Sequence, residues 1–369
     1  MASQLAQTAK VVRTMLVGFV AFFILYIVFT QIFTVISKIV ISRRPPKVEP
    51  PSVAFGKLPK SSLKSLTLEG DPPNYSLETT TGTLPQMPTK INIYKFSEPK
   101  ASFLSLEKTK NMAKKLGFVT LPKEISPSLY FWQDENKSLR ANTVTGNFEI
   151  DSDISQMTLS VGDLPSPGEI KSISKGYMDG KGLLRSGFEL GSQEVSLIKK
   201  NGLALSKAVS LSETSLARVD FFRSIKTGDD VNIPILPQNP KKGLVELYYV
   251  GGSNFPKVKY TVWDFDFEKG ETYPLRSISS SWEDVKNNKG FITYLQYQGS
   301  DALESLNSLS LIDIYIRKIY LAYFDDENIQ NFLQPIYVFE GDGKDGNGRA
   351  VDVSIYSPAV SPSWIEGQE

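Results

Sequence analysis

The sequence predicts an α+β protein with a single N-terminal transmembrane helix, followed by two or three helix-on-antiparallel-sheet units. Three observations predict this class. An uncharged apolar run fills residues 14–37. After residue 89, segments with strand alternation outnumber segments with helical spacing by roughly two to one. The mixture of helix and sheet recurs at intervals of about 70–90 residues, as expected for helices packed on antiparallel sheets.

The N-terminal run has the length and composition of a membrane span. Residues 14–37 would extend about 36 Å as a helix, which exceeds the ~30 Å hydrocarbon core of a bilayer. Fifteen of these residues are Leu, Ile, Val or Phe. The run is longer than the apolar part of a cleaved signal peptide, and no small-residue cleavage site follows it. The lipid bilayer is therefore the first expected partner, through residues 14–37.

The charges that flank this run give a conflicting indication of topology. Lys10 and Arg13 precede it, whereas four basic residues follow it (Lys38, Arg43, Arg44 and Lys47). Counting basic residues would place the large C-terminal region in the cytoplasm. A short N-terminal tail, however, is normally retained, and long domains are translocated largely regardless of their own charge. We expect a single-pass protein of the cell membrane whose large region is extracytoplasmic.

Proline content and residue periodicity divide the rest of the chain. Nine prolines between residues 45 and 88 predict a stiff, extended spacer, and Asn74–Pro85 predicts a first strand and hairpin. The predicted organisation is a tail (1–13), a transmembrane helix (14–41), a Pro-rich spacer with the first hairpin (42–88), a first α+β region (89–205), a second α+β region (206–360) and a polar tail (361–369).

Within the first α+β region, a helix ending near Gly117 precedes the strand-like segments YFWQ and SLRANTVTGNFEID. This order resembles a PepSY-type unit over residues 102–151. The end of the second region, LAYF followed by LQPIYVFEG and VDVSIYSPAV, is similar to the last strands of YycI-like regulatory domains. Both resemblances imply an uncharacterised bacterial single-pass membrane protein that binds or regulates an envelope partner.

Composition excludes several classes of chemistry. The chain contains no cysteine and no histidine. It therefore has no thiolate nucleophile, no disulfide and no imidazole base. The 41 basic and 40 acidic residues balance to a net charge of +1, which gives no footprint for nucleic acid. Carboxylate pairs, Ser-Lys dyads and calcium loops need neither missing residue type.

Three sequence patterns could support a Ser-Lys dyad, a calcium loop or a carboxylate pair, and each has a simpler interpretation. Ser-x-x-Lys occurs at 61–64, 105–108, 172–175 and 196–199, with Lys-Thr-Gly at 226–228. Four copies with the penicillin-binding motifs out of order indicate chance. DGKDGNG (342–348) lacks the ligand pattern of an EF-hand and predicts a hairpin, with a weak cation site as the alternative. In DFDFE (264–268) the carboxylates could form a glycosidase-type pair on a strand, but a solvated face explains the same letters.

The remaining question is what the many aromatic residues of the strands do. The tyrosines at 248, 249, 260, 273, 294, 297, 315, 320 and 323 could line a ligand groove or fill the core. We assign no catalytic, cofactor-binding or metal-binding residue and expect no cofactor. The sequence favours a non-enzymatic binding, regulatory or assembly protein of the envelope with a protein partner. The alternative is a cell-wall glycan-binding module or an envelope hydrolase that uses carboxylates or a Ser-Lys pair.

Overall fold

The computed structural model describes residues 2–42, 50–227 and 231–367. The chain divides into two compact units, Met1–Pro50 and Pro51–Glu369. The described secondary structure of the first unit is one helix, and the second unit contains the remaining described elements.

The first unit confirms the single apolar N-terminal helix. Helix α1 spans Ala2–Ser42. Within it, Val12–Thr34 is long and apolar enough to cross a membrane. Large apolar side chains along this stretch, such as Leu16, Phe22 and Phe33, are exposed, as expected where lipid takes the place of a protein core. A signal sequence near the N-terminus can also contain a helix that meets this criterion of length and hydropathy.

The second unit is rich in sheet, so the α+β class is confirmed. Its helices are α2 (Ser105–Lys115), α3 (Pro167–Gly180) and α4 (Ile278–Lys286), with short 3-10 turns at Ile154–Gln156, Leu211–Glu213 and Pro362–Trp364. Its strands are β1 (Thr67–Leu68), β2 (Asn74–Leu77), β3 (Lys90–Lys95), β4 (Lys123–Ser126), β5 (Leu129–Gln133), β6 (Ser138–Asn142), β7 (Phe148–Asp151), β8 (Ser192–Asn201), β9 (Ala204–Lys207), β10 (Leu216–Lys226), β11 (Asn232–Leu236), β12 (Val245–Tyr249), β13 (Lys257–Tyr260), β14 (Glu271–Pro274), β15 (Phe291–Tyr297), β16 (Ser308–Leu309), β17 (Leu311–Phe324), β18 (Phe332–Asp345) and β19 (Ala350–Pro358).

One group of strands, here called the antiparallel sheet, pairs in the order β4-β5-β6-β7-β13-β12-β10-β8-β9. Every neighbour in this order is antiparallel. Hairpins connect many of the neighbours, so most of its contacts are close in sequence. The sheet joins strands from both sides of the division predicted at residues 205 and 206, and the number and limits of the helix-on-sheet units remain predictions.

Two helices pack against one face of the antiparallel sheet. Helix α3 begins where Ser166 accepts a hydrogen bond from the backbone N–H of Glu169 and the Glu169 carboxylate reaches back, a capping box with Pro167 in the first turn. Its buried side chains, including Ile170, join one apolar cluster with Ala113 of α2 and Val219 of β10. Burying this face accounts for the position of both helices.

The other group of strands, here called the mixed sheet, runs β15-β19-β18-β17, and the far edge of β17 carries both β2 and β11. Both of these strands are parallel to β17. Strand β11 also pairs with the second half of β10. Strands β3 and β14 pair with each other, β3 meets the start of β18, and β1 pairs only with β16 among the described strands.

Strand β10 belongs to both sheets. Its first half pairs with β8 and β12, and its second half pairs with β11. Ala217, Val219 and Phe221 point toward the helices, whereas Phe222 joins a cluster with Ala322 and Phe324 of β17. Both faces of β10 are therefore buried, and only its last residue is exposed.

The segment expected to be a spacer and first hairpin has a different arrangement where the structure describes it. Residues 43–49 lie outside the described residues. From Pro51 onward the chain packs on the folded unit, and Leu58 is fully buried with Tyr273 and Ile365. Strand β2 exists, but it pairs in parallel with β17 rather than in a hairpin. The apolar residues between the prolines are the physical reason, because burying them stabilises a docked segment.

The DFDFE segment, which was considered as part of a strand, follows the end of strand β13 at Tyr260. Residues 264–268 form a bridge at Phe265 and then a turn. Phe265 lies in the core, whereas Asp264 and Glu268 are exposed. The predicted solvated position of these carboxylates is confirmed, but the shared strand face is wrong.

Candidate functional site

A groove of about 1010 Å³ lies beside β17 in the mixed sheet. Its lining comes from β17, from β11, from the start of β8 and from the chain that leads into β3. It is larger than a second cavity, of about 860 Å³, near the ends of α2 and α3. This groove is the candidate site because it exposes part of a sheet edge.

The exposed edge is a gap between two strands that pair with the same side of β17. Strand β2 pairs with residues 313–316, and β11 pairs with residues 323 and 324. Between them, no described strand pairs with residues 317–322 on that side. Lys318, Ile319, Tyr320 and Leu321 all line the groove.

The pairing pattern fixes which backbone groups face the gap. The N–H of Asp325 donates to the carbonyl of Leu236 in β11, so residue 325 directs its backbone groups to this edge. Backbone groups alternate along a strand, and β17 has no register shift after residue 318. The N–H and C=O groups of Ile319 and Leu321 therefore point into the groove. Unpaired edge groups of this kind form a template for another strand.

The start of the gap coincides with a bulge. The register with β18 shifts between Ile316 and Lys318, which leaves Arg317 as an extra residue. Its side chain forms ion pairs with Asp342 and Glu78. A Cβ on Gly341, opposite Ile316, would lie 1.9 Å from the carbonyl oxygen of Tyr315. The bulge therefore needs a glycine at this position.

The two sides of the groove differ in polarity. On one side, Ile319 and Leu321 belong to an apolar cluster with Ile91 and Ile233. The other side carries Lys318, Tyr320, Lys241 and Glu340. A segment in the groove would meet apolar side chains below and charged side chains above.

The polar side is organised around Glu340. Its carboxylate accepts a hydrogen bond from the Tyr320 hydroxyl at 3.1 Å and pairs with the Lys241 ammonium at 3.4 Å. Burial, and then the neighbouring carboxylate, raise the pKa of Tyr320, so the hydroxyl stays protonated and donates. The Lys318 ammonium lies 4.6 Å from the centre of the Tyr320 ring, and among the described residues no carboxylate pairs with it.

The tyrosines named from the sequence lie partly in the core and partly along the groove. Tyr249, Tyr260, Tyr273, Tyr294 and Tyr323 are buried. Of these, Tyr323 also reaches the groove, where its hydroxyl donates to the carbonyl of Asn92 at 2.6 Å. Tyr320 lines the groove with a partly exposed side chain. Most of the group is core, and the groove uses two of its members.

The Ser-x-x-Lys motifs do not assemble into a dyad in the described part of the chain. Ser105 in α2 bonds to Ser102, and Ser172 in α3 donates to the carbonyl of Gly168. Residue 228, the glycine of Lys-Thr-Gly, lies outside the described residues. The chance interpretation of these motifs agrees with these contacts.

The DGKDGNG segment forms the predicted hairpin between β18 and β19. The Asp345 carboxylate accepts hydrogen bonds from the backbone N–H groups of Asn347 and Arg349, from the Arg349 side chain and from the Tyr297 hydroxyl. Although burial alone would raise the pKa of Asp345, these bonds lower it. The carboxylate therefore closes the turn. Among the described residues, no group of three or more acidic side chains forms a metal site.

Sequence reasoning missed the buried charges of β10. Asp220 is fully buried, accepts from Arg218 Nε at 2.8 Å and accepts from the backbone N–H of Gly243 at 3.0 Å. Further along, Arg223 donates to the Trp263 carbonyl and to Asp325 at 2.8 Å. Burial raises the pKa of nearby Glu246 to about 6. An alternation of charged and apolar residues signals a solvated face, which is why these residues could not be recognised as interior.

The second cavity, of about 860 Å³, lies near the ends of α2 and α3. Two lysines cap the end of α2 there. The Lys137 ammonium donates to the Gly117 carbonyl at 2.8 Å, and Lys181 donates to the Lys115 carbonyl at 2.6 Å. Cations at a helix C-terminus satisfy its unpaired carbonyl groups, so these lysines have a structural role.

Comparisons with known proteins supply no function. No protein-family model matches this chain, and no curated protein matches it in sequence. Among solved structures, an uncharacterised protein from Eubacterium rectale ATCC 33656 shares 11% identity with it. The alignment covers 73% of this chain and 83% of that chain, with a TM-score of 0.38. A similarity at this TM-score supports no conclusion about the fold or the function of this chain.

Proposed function

We propose that this chain is a membrane-anchored, non-enzymatic binding protein of the cell envelope whose folded unit lies outside the cytoplasm and holds a partner protein. The observation that carries the proposal is the groove beside β17, with its open backbone edge between β2 and β11. Backbone groups at a sheet edge bind another polypeptide far better than they bind a small molecule, because they repeat at the spacing of a strand.

The chemistry of the groove supports binding. Its polar side holds Glu340 in bonds to Tyr320 and Lys241, and a carboxylate that is bonded in this way is poorly placed to act as a base. Its apolar side continues the core. The helix α1 supplies the anchor, since Val12–Thr34 has the length and hydropathy of a membrane span.

A photo-crosslinking experiment on the full chain in its native membranes tests the partner. A photoreactive residue replaces Lys318 in the groove or, as the control, Lys114 on the exposed face of α2. We expect one membrane or envelope protein to be crosslinked in stoichiometric yield from position 318 and not from 114. Equal products from both positions, or retention on peptidoglycan alone, would overturn the proposal and favour the glycan-binding alternative.

The topology has an independent test, because the natural chain has no cysteine. Lys57→Cys places a thiol at an exposed position of the folded unit, and Ser3→Cys places one in the N-terminal tail. In intact cells, a membrane-impermeant maleimide should label residue 57 and spare residue 3. Labelling of residue 3 alone would place the folded unit in the cytoplasm.

A further inference from the structure

The two strands that flank the gap define the direction of any strand placed between them. Strands β2 and β11 lie on the same edge of β17, and both run parallel to it. A segment that pairs with residues 317–322 continues the line of β2 toward β11. These six residues correspond to about 20 Å of extended chain.

The parallel register fixes which residues of such a segment bond to β17. A residue opposite Tyr320 can donate its N–H to the carbonyl of Ile319 and accept from the N–H of Leu321. Leu236 of β11 already makes this pattern, since it lies opposite Phe324 and accepts from the N–H of Asp325. The next residue of the segment directs its backbone groups away from β17.

Side-chain polarity follows the same alternation. Residues of the segment opposite Lys318 and Tyr320 share their face of the sheet, because paired residues point to the same side. Those opposite Ile319 and Leu321 point to the apolar cluster that contains Ile91 and Ile233. On this polar face Lys241 already pairs with Glu340, whereas no carboxylate among the described residues pairs with Lys318. The Lys318 ammonium lies over the Tyr320 ring, so the polar positions of the segment opposite these two residues should be acidic.

The geometry points to the mode of binding: the groove takes an extended segment of the partner protein as an added strand, parallel to β17, with acidic and apolar residues in alternation. This inference rests on the proposed function and specifies how the partner is held. The acidic residues lie opposite Lys318 and Tyr320, and their backbone groups bond to β17. The apolar residues fill the lower side of the groove.

N-methylation of a peptide tests this mode without changing the protein. The probe is the acetylated and amidated peptide Val-Glu-Val-Glu-Val, whose five residues fit opposite residues 317–321. Its binding is measured by fluorescence anisotropy with the full chain in nanodiscs. A methyl group on the second Glu nitrogen removes an N–H that bonds to β17, so affinity should fall about 30-fold or more. A methyl group on an adjacent Val nitrogen should change it by less than about 3-fold.

The direction of the peptide and its charge preference give two further readouts. A diazirine at the N-terminus of the peptide should crosslink near Glu78, and one at the C-terminus should crosslink near Asn232. Lys318→Glu should weaken binding of this peptide about 10-fold and strengthen binding of the Val-Lys analogue, as expected when a facing charge is reversed. Lys114→Glu is the matched control and should leave both affinities unchanged.

The outcomes separate this inference from the proposed function. If the partner crosslinks at position 318 but the peptide neither binds nor competes with it, strand addition is wrong and the binding function stands. Equal effects of both N-methyl groups, or reversed crosslinks, also reject the parallel mode alone. If no partner crosslinks and no peptide binds, both proposals fail.

Discussion

The antiparallel sheet and the mixed sheet are built from the same kinds of residues, but they manage their strand edges differently. In the antiparallel sheet, hairpins such as β5-β6-β7 supply neighbours that are close in sequence. In the mixed sheet, β17 receives its outer neighbours from β2, 239 residues away at the Asn74 and Asp313 pair, and from β11. Remote neighbours cover only parts of an edge, and the uncovered part of β17 lies in the groove.

The largest loss of stability is expected for a substitution at the bulge of the mixed sheet, and this comparison would be contradicted if the loss were absent. Gly341→Ala places a Cβ 1.9 Å from the carbonyl oxygen of Tyr315, so β17 and β18 must separate locally. We expect a loss of about 3–5 kcal/mol in the free energy of unfolding. Denaturant titration with tryptophan fluorescence measures it, since all four tryptophans lie in the folded unit.

Gly346→Ala is the matched control for that substitution. A Cβ at Gly346 meets no atom within 4 Å, so the change should stay within about 0.5 kcal/mol. If the two substitutions lowered the free energy of unfolding by similar amounts, the close backbone contact at the bulge would not contribute to stability.

A smaller loss is expected where a remote segment docks on the folded unit. Leu58 is fully buried with Ile93, Tyr273 and Val360. Leu58→Ala should lower the free energy of unfolding by about 2–3 kcal/mol, as for other buried leucines. The same titration measures it, with exposed Lys57→Ala as the control. No loss at Leu58 would mean that residues 51–66 form a free spacer after all.

The antiparallel sheet offers a pH-dependent test at Glu246. Burial raises its pKa from 4.5 in the unfolded chain to about 6 in the folded chain, so the folded state holds the proton more tightly. Stability from this group is therefore present below pH 4.5 and lost as the pH rises through 6. Glu246→Gln lacks this loss, so its stability relative to the natural chain should increase by about 2 kcal/mol between pH 4.5 and 7.

Unfolding titrations of both chains across this pH range measure the difference. The exposed Glu135→Gln serves as the control and should run parallel to the natural chain. A flat difference for Glu246→Gln as well would mean that the Glu246 carboxylate is solvated.

The smallest effect is local and leaves global stability unchanged. In the free protein, the backbone N–H groups of Ile319 and Leu321 point into the groove, whereas those of Tyr320 and Ala322 point toward β18. Residue-resolved hydrogen exchange should be at least about 100-fold faster at 319 and 321. Uniform protection of all four amides would show that the edge is closed.

Patterns within short stretches of sequence predicted several of the elements that form between residues close in the chain. The apolar N-terminal helix, the helix that ends just before Gly117 and the hairpin at 342–348 all follow from composition, spacing and turn residues. The parallel pairing of β2 with β17 could not be predicted, because it depends on contacts between remote segments. Residues 51–66 were predicted to be an extended spacer because of their prolines, although the apolar residues between the prolines are the ones that dock on the folded unit.

The groove could not be predicted from the sequence for the same reason. An open edge is defined by the strands that do not cover it, and single-sequence periodicity does not show which strands are neighbours. One signal was available: Gly341 and Gly343 interrupt an otherwise strand-like run, which indicates a bulge or a close backbone approach. The buried Asp220 and Arg218 pair was hidden by an alternation that normally marks a solvated face.

The bulge at Arg317 has a consequence for how β17 can change in evolution. Its core-facing side chains have even numbers at Ile314 and Ile316 and odd numbers at Ile319, Leu321 and Tyr323. Arg317 changes that parity. Deletion of a single residue within either block would turn core residues outward, whereas loss of Arg317 alone would remove the bulge and leave both blocks facing the core. Length variation in this strand should therefore occur at Arg317.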